Sequence, residues 1–541
     1  MLCPKHIFLC SILLSACGWS NTKETQKQPI WETQSVVWLV CEDQSLFMPL
    51  YGDSTAHMPN LCSLAEEGTV FDKFFAVAPV CSPSRSSIIT GIQPALMGTL
   101  HMRAFQANKS GLNQHTGLPF YSAPAPTGIR PFTEHLREEG VYCTNNSKED
   151  YNFETPPLAW DESSSMAHWR NRYDGQPFFS VFNFNVTHES QIWRRQDTLC
   201  QISKDSVSIP ELIPSENAVK SDIVTNYCNL EELDRQIGEV LDELKEDDLY
   251  ESTTIVFFSD HGGPFPRFKR APTDAGLRVP LVIKWGDSGN STARNAGLFS
   301  FLDLAPSVLE WFGIDAGTSL QGLPILPSST GHEAVYASAD RFDGHLNRSR
   351  TVRTSNWRLR RNDYQNKPAG MDISYRRQMN TMRVIDSLAQ QNIEPWVTWR
   401  LKPQPKWELY HSSEDIWELE NLSQDSRYSD TLQFLKNLLG EAFPTNQDFG
   451  HVEEEELIEM FKKKIETEEL TLPHLIAKGG FLEVFHEDSN VSIGWRIDSE
   501  SVWNVIKSGN KIEVADHVEE IELMTTRIGW ASKSGVFTLR N

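Results

Sequence analysis

Five short segments of this chain carry the side chains from which hydrolytic chemistry is built. Residues 81–91 read CSPSRSSIITG, placing Arg85 four residues after Cys81. On a helix that starts at the cysteine, the thiol and the guanidinium fall on one face, and the helix N-terminus beneath them is a seat for an anion. Glu42-Asp43 and Asp260-His261-Gly262 each follow a run of apolar, β-rich residues. Carboxylates there suit a hard divalent cation, and the imidazole leaves magnesium or manganese open. His188 follows a third such run, and His101 stands in Gly98-Thr99-Leu100-His101-Met102-Arg103. Histidine titrates nearest neutral pH, so these two are the candidates for proton transfer.

Such segments need a frame that brings strand ends together. Residues 35–41 (SVVWLVC), 177–186 (PFFSVFNFNV) and 253–258 (TTIVFF) are continuous apolar runs, the pattern of strands buried on both faces of a parallel sheet. Between the second and third, Ile223, Tyr227, Leu230, Leu233, Ile237, Val240, Leu241 and Leu244 recur at helical spacing, which predicts an amphipathic crossover helix. Strand, helix, strand with polar residues at the strand ends predicts an open α/β sheet whose site lies beyond its carboxyl edge. After about residue 330 the pattern changes: residues 357–360 (WRLR) and 407–410 (WELY) alternate, as in a smaller antiparallel sheet. Residues 451–469 (HVEEEELIEMFKKKIETEE) read as a charged helical linker with a solvated face. The last stretch, with Trp495, Trp503 and Trp530, predicts a small β-sandwich-like module whose tryptophans are buried rather than free to stack on sugar.

The run Cys81-Ser82-Pro83-Ser84-Arg85, followed after four residues by Thr90-Gly91, resembles the signature of the formylglycine-dependent sulfatases. The resemblance extends from about residue 35 to 422 through Tyr51-Gly52-Asp53, Pro59-Asn60-Leu61 and the Glu-Leu-Tyr then Asn-Leu ending at residues 408–422. It implies an alkaline-phosphatase-like mixed α/β sheet, and a maturation enzyme that oxidises Cys81 to formylglycine, whose hydrated aldehyde attacks sulfur. It implies a cation, calcium in the family, held by Glu42, Asp43, Asp260, His261 and the modified Cys81. It assigns Arg85 to support of the gem-diol, Lys148 and Lys269 to the sulfate, and His188 with Lys269 to protonation of the leaving group. Many members have Lys-x-His at the first lysine; here the third residue is Asp150, so the proton acceptor is Asp150 or His101. Residues 260–269 (DHGGPFPRFK) and Asn145-Asn146-Ser147-Lys148 look like the branch that holds the heparan N-sulfatases. Arg341, Asp343, His345 and Arg350 cluster in the second subdomain and are expected to line the pocket for a sulfated glycan.

A formal net charge of −23 excludes a nucleic-acid binder, which needs a net basic footprint. The same field repels a sulfated substrate, so a site for one must gather Lys and Arg locally. Residues 1–17 read as a signal peptide ending in Leu14-Ser15-Ala16-Cys17, which resembles a bacterial lipobox with Cys17 lipidated. The protein is therefore expected in the periplasm or at the cell surface, touching membrane only through its lipid anchor. The expected organisation is a tether at 18–33, a catalytic α/β domain at 34–330, the second subdomain at 331–448, the linker at 449–475 and the module at 476–541. Of nine cysteines, the six after Cys17 lack disulfide-framework or zinc spacing, so the fold rests on its core, with one pair free to bridge. Two other functions fit parts of the pattern: a phosphatase or phosphodiesterase of the same fold, which usually presents Ser or Thr to two metals, and a non-catalytic glycan-binding lipoprotein.

Overall fold

A computed structural model describes residues 35–539 apart from 107, 108, 110, 199, 288–292, 316, 318, 479, 480, 500 and 515–517. The export segment, Cys17 and the tether lie outside the described residues. The main sheet contains β1 (Ser35–Cys41), β2 (Thr69–Phe75), β3 (Tyr142–Asn146), β4 (Glu162–Ser163), β5 (Phe178–Phe184), β6 (Thr253–Ser259), β7 (Arg278–Val279), β8 (Leu281–Lys284) and β9 (Ala293–Ser300). They lie in the order β4-β3-β5-β1-β6-β8-β2-β7, with β9 paired to β2. β8 runs antiparallel to β6, which makes the sheet mixed.

The apolar runs are continuous because both faces of β1 are covered. Val36, Trp38 and Val40 pack into one core, while Val37, Leu39 and Cys41 pack into the other. The helix Asn217–Glu246 buries all eight apolar positions that its spacing marks in that second core, each large one contributing about 1.5–3 kcal/mol. Cys228 on this helix is bridged to Cys200. β1 lies parallel between β5 and β6 with Cys41 level with both Phe184 and Ser259. That register sets Glu42-Asp43, Thr187-His188 and Asp260-His261 side by side at one edge.

A second sheet joins β10 (Ala334–Ala339), β11 (Ser349–Thr354), β12 (Trp357–Asn362) and β13 (Trp407–His411) in antiparallel order. Arg350 on β11 is wholly buried, its guanidinium held by Asp340 at 3.0 Å and Asp448 at 2.5 Å. Its expected place in a substrate pocket is thereby corrected: both carboxylates are already spent on it inside the fold. Removing one partner of such a pair leaves an uncompensated buried charge, so Asp448→Ala is expected to lower stability by about 3–5 kcal/mol. Chemical denaturation reads this directly, and an unmoved midpoint would remove the pair from the structural frame.

The charged segment forms the helix Glu454–Thr467, and it is a packed element rather than a spacer. Leu457 and Phe461 enter a cluster with Leu100, Ala104 and Tyr121, while Glu454 at its start holds Arg341. The chain ends in β14 (His474–Lys478), β15 (Phe481–Phe485), β16 (Ser492–Arg496), β17 (Asn504–Ile506), β18 (Lys511–Glu513), β19 (Glu520–Thr526) and β20 (Lys533–Thr538). They form a three-stranded and a four-stranded sheet around a shared core that includes Val484, Ile493, Ile512 and Leu523. Trp530 is buried and its indole N–H donates to the Glu468 carbonyl at 2.8 Å. Trp503 is covered by the Arg496 guanidinium at 4.2 Å.

Candidate active site

Cys81 opens the helix Cys81–Thr90, all ten of whose residues are buried. A buried helix this rich in serine is workable because its hydroxyls find partners. Ser84 Oγ donates to the Asp260 carbonyl at 2.6 Å, Thr90 Oγ1 to the Ser86 carbonyl at 2.6 Å, and Ser82 Oγ to Asp150 at 2.5 Å. Pro83 falls in the first turn, where its missing N–H costs nothing. Gly91 closes the helix at φ 68°, its N–H donating to Ser87 O at 2.8 Å; a Cβ there would stand 2.8 Å from Leu320, so glycine is required twice over.

The thiol faces the strand ends. Cys81 Sγ is 3.3 Å from His261 Nε2, 3.7 Å from Lys269 Nζ and 4.0 Å from Asp43 Oδ1. Asp43 turns out of β1 at φ 53° and is the hub of the group. It accepts from Lys269 Nζ at 2.9 and 2.7 Å and from the Glu189 N–H at 2.6 Å, and its Oδ1 is 3.0 Å from His261 Nε2. Asp260 accepts from Arg85 Nε at 3.0 Å, and Arg85 Nη1 donates to Asn183 at 2.7 Å. Lys148 meets Glu42 at 2.5 Å, and His188 Nε2 lies 3.4 Å from Lys269 Nζ. Gly262 lets the strand-end loop close over this floor: a Cβ on it would lie 2.5 Å from the Ala275 carbonyl.

The electrostatics follow from that packing. Burial pushes the Cys81 thiol up, but Lys269 and Lys148 outweigh it and bring it down to about 6. Burial likewise opposes the charged forms of His261 and Asp260. Asp260, Cys81 and Asp43 nevertheless raise His261 to about 10, while His261 and Arg85 hold Asp260 at about 2. Lys269 is raised despite burial, chiefly by Asp43. Glu42, Asp43, Cys81 and His188 bring one ligand atom each to within 4.8 Å of one another, and so do Cys81, Asp260 and His261. Two sets that share Cys81 and contain three carboxylates are a donor set that fits a hard divalent cation. Around it Arg85, Lys148 and Lys269 supply the local positive charge that an anionic substrate needs in an acidic chain.

The remaining expected residues divide. Asp150 lies beside Cys81 through Ser82 and is 4.0 Å from Lys148. His101 is buried and pushed down to about 4 by desolvation; its Nδ1 accepts the Arg341 backbone N–H at 3.3 Å, so its ring is engaged with the second subdomain. Arg341 is buried and turned to Glu454, a correction to its expected pocket role of the same kind as Arg350. Asp343 bridges Arg270 and Arg103 at 3.3 Å each, and His345 is half-buried above the same turn, which an isolated bridge between Phe342 and His345 closes. Sequence reading missed Glu189, which is buried, takes Arg270 at 2.9 and 2.8 Å, and stands 3.3 Å from Lys269. Its signal was present: it follows His188 at a strand end, as Asp43 follows Glu42.

An open α/β sheet with a cysteine at a helix start, carboxylates at strand ends and a rim of cations defines a hydrolase for anionic esters. The sulfatase family profile matches residues 34–122 and 132–314, and the chain belongs to that family, the hydrolases of sulfuric esters. It is 33% identical over 550 residues to an ulvan-active sulfatase of Formosa agariphila, covering 93% of this chain and 91% of that one. It is 24% identical over 489 residues to the N-sulphoglucosamine sulphohydrolase of Homo sapiens, covering 81% and 93%. Among solved structures it resembles in fold a protein captured with its substrate D-glucosamine-2-N,6-O-disulfate, with a TM-score of 0.53 and 14% identity over 76% of this chain and 97% of that one.

Proposed function

We propose that this sulfatase removes sulfate from an extracytoplasmic sulfated polysaccharide, with position 81 as a formylglycine nucleophile and a divalent cation, calcium first among candidates, at the strand ends. The convergence of Cys81 with Asp43, His261 and Lys269 within 4.0 Å carries the reading. The two relatives are named for ulvan and for N-sulphoglucosamine, which supports a sulfated glycan here and leaves O- and N-sulfate as arms of the test.

As formylglycine, position 81 would supply a hydrated aldehyde oxygen as nucleophile, and a cation held by Glu42, Asp43, Asp260 and His261 would neutralise sulfate charge. The chain's own groups do the rest. Arg85, fixed by Asp260 and Asn183, supports the nucleophile at position 81, and Lys148 binds and orients the sulfate oxygens. Lys269 and His188, 3.4 Å apart, face the leaving oxygen and give it a proton. Asp150, tied to Ser82, is placed to take the nucleophile's proton, whereas the His101 ring is occupied at Arg341. Export as a lipoprotein through Cys17 belongs to the same reading; among the described residues no helix is long and apolar enough to cross a membrane.

Protein from a host that carries the maturation enzyme is expected to show a mass loss of about 18 Da at the peptide holding Cys81, the thiol-to-aldehyde change, and to release sulfate from defined sulfated disaccharides. An intact thiol together with no sulfate release would overturn the reading. Asp150→Asn is expected to lower kcat about 10²-fold or more, as loss of a general base does, with His101→Ala costing less than about tenfold. The reverse order would move the base to His101.

A further inference from the structure

The loop that carries Lys269 into the active site also walls a separate cavity of about 450 Å³, a size that accommodates a small ligand. Among the described residues its walls include none of Cys81, Asp43, Asp260 or His261. Three of the residues that line it each carry a buried side-chain atom with no hydrogen-bond partner: Arg267 Nη1, Arg360 Nε and Glu418 Oε2. The groups they belong to are otherwise fixed. Arg360 Nη2 holds Glu408, and Glu418 Oε1 receives the Asp274 N–H at 2.9 Å and lies 2.8 Å from Arg358 Nε.

Leaving a buried donor or acceptor unpaired costs about 1–3 kcal/mol each, so three on residues that line one cavity leave its walls short of polar partners. Two donors and one acceptor match a molecule that both accepts and donates, which is what a sugar's hydroxyls do. Trp399 and Trp417 stand on the same walls, partly exposed, and offer flat faces for a sugar ring. The charge selects further. Arg360 is answered by Glu408, and Glu418 by Arg358, whereas Arg267 forms no ion pair among the described residues. That leaves an excess guanidinium in a chain of net charge −23.

We propose that this cavity is a second, non-catalytic glycan site that takes one acidic sugar unit, its carboxylate or sulfate on Arg267 and its ring against Trp399. The proposal rests on the reading of the protein as acting on an acidic glycan, and it adds a place where a neighbouring part of the chain is held beside the Lys269 loop.

Full-length Cys81→Ala protein tests it without turnover, titrated with glucuronate, glucose 6-sulfate and glucose while tryptophan fluorescence is followed. Saturable binding of one or both acidic sugars and not of glucose is expected, weakened about tenfold or more, 1.4 kcal/mol, by Arg267→Gln or by Trp399→Ala. The acid that saturates assigns the site to carboxylate or to sulfate. Binding that survives both substitutions belongs to the catalytic site and overturns the proposal, as does equal binding of glucose or none at all, which would leave the cavity to water. Melting curves identify a variant that fails to fold, in which case the other substitution decides. Wild-type sulfate release, measured alongside, reports on the main reading independently.

Discussion

Cys81→Ala protein is expected to hydrolyse an aryl sulfate at least about 10⁴-fold more slowly than wild type, the scale on which loss of a nucleophile acts, while its fold is retained. Both halves follow from the position. The side chain is small, 2% exposed, and sits at the first turn of a helix whose other hydroxyls and apolar residues hold it in place. Deleting one terminal side-chain atom there removes little packing, on the order of 1 kcal/mol. What it does remove is the only atom on that helix within 4.0 Å of Asp43, His261 and Lys269 together, among the described contacts. Turnover at a tenth of wild type would assign the nucleophile elsewhere. A collapse of the melting transition would instead make the cysteine a structural residue, and sulfate-release assays beside thermal melts separate the two.

The grouping of Cys81 with the strand-end carboxylates was legible because its parts are local. Cys81-Ser82-Pro83-Ser84-Arg85 needs one helix turn to be arranged, and Glu42-Asp43 and Asp260-His261 need only the ends of runs whose burial on both faces is written in their composition. The crossover helix was legible for the same reason, its eight marked positions all being buried. Arginine in the second subdomain was not legible. A guanidinium with a carboxylate partner about a hundred residues away reads the same as one at a binding surface: Arg341 answers Glu454, and Arg350 answers Asp448. The charged helix misled in the same way, since two apolar residues on one face, Leu457 and Phe461, are enough to dock it when a complementary cluster exists elsewhere. Glu189 was missed because its role depends on Arg270 and Lys269, which only the level register of β1, β5 and β6 brings to it.

Asp43→Asn tests whether these strand ends act as one unit. The substitution keeps the shape of the side chain and removes its charge, and that charge serves three partners: Lys269 at 2.7 Å, His261 at 3.0 Å and any cation among the shared ligand atoms. Lys269 is 1% exposed, so without Asp43 it retains, among the described residues, only Glu189, at 3.3 Å, as a close carboxylate. Leaving a buried charge under-compensated costs up to about 3–5 kcal/mol, and chemical denaturation should register part of that. Calcium affinity is expected to fall about 10–100-fold, measured by calorimetry on the chelator-treated protein. Aryl-sulfate turnover is expected to fall about 10³-fold or more, because on the proposed reading this carboxylate would hold both the cation and the lysine that face the sulfate. The three readouts need not move together, and their pattern is informative. Unchanged calcium binding with lost turnover would make Asp43 an anchor for Lys269 and not a metal ligand. Lost binding with stability intact would make it a ligand whose lysine contact contributes little. A parallel fall in all three is the outcome expected of a hub whose one carboxylate is shared by cation, general acid and fold.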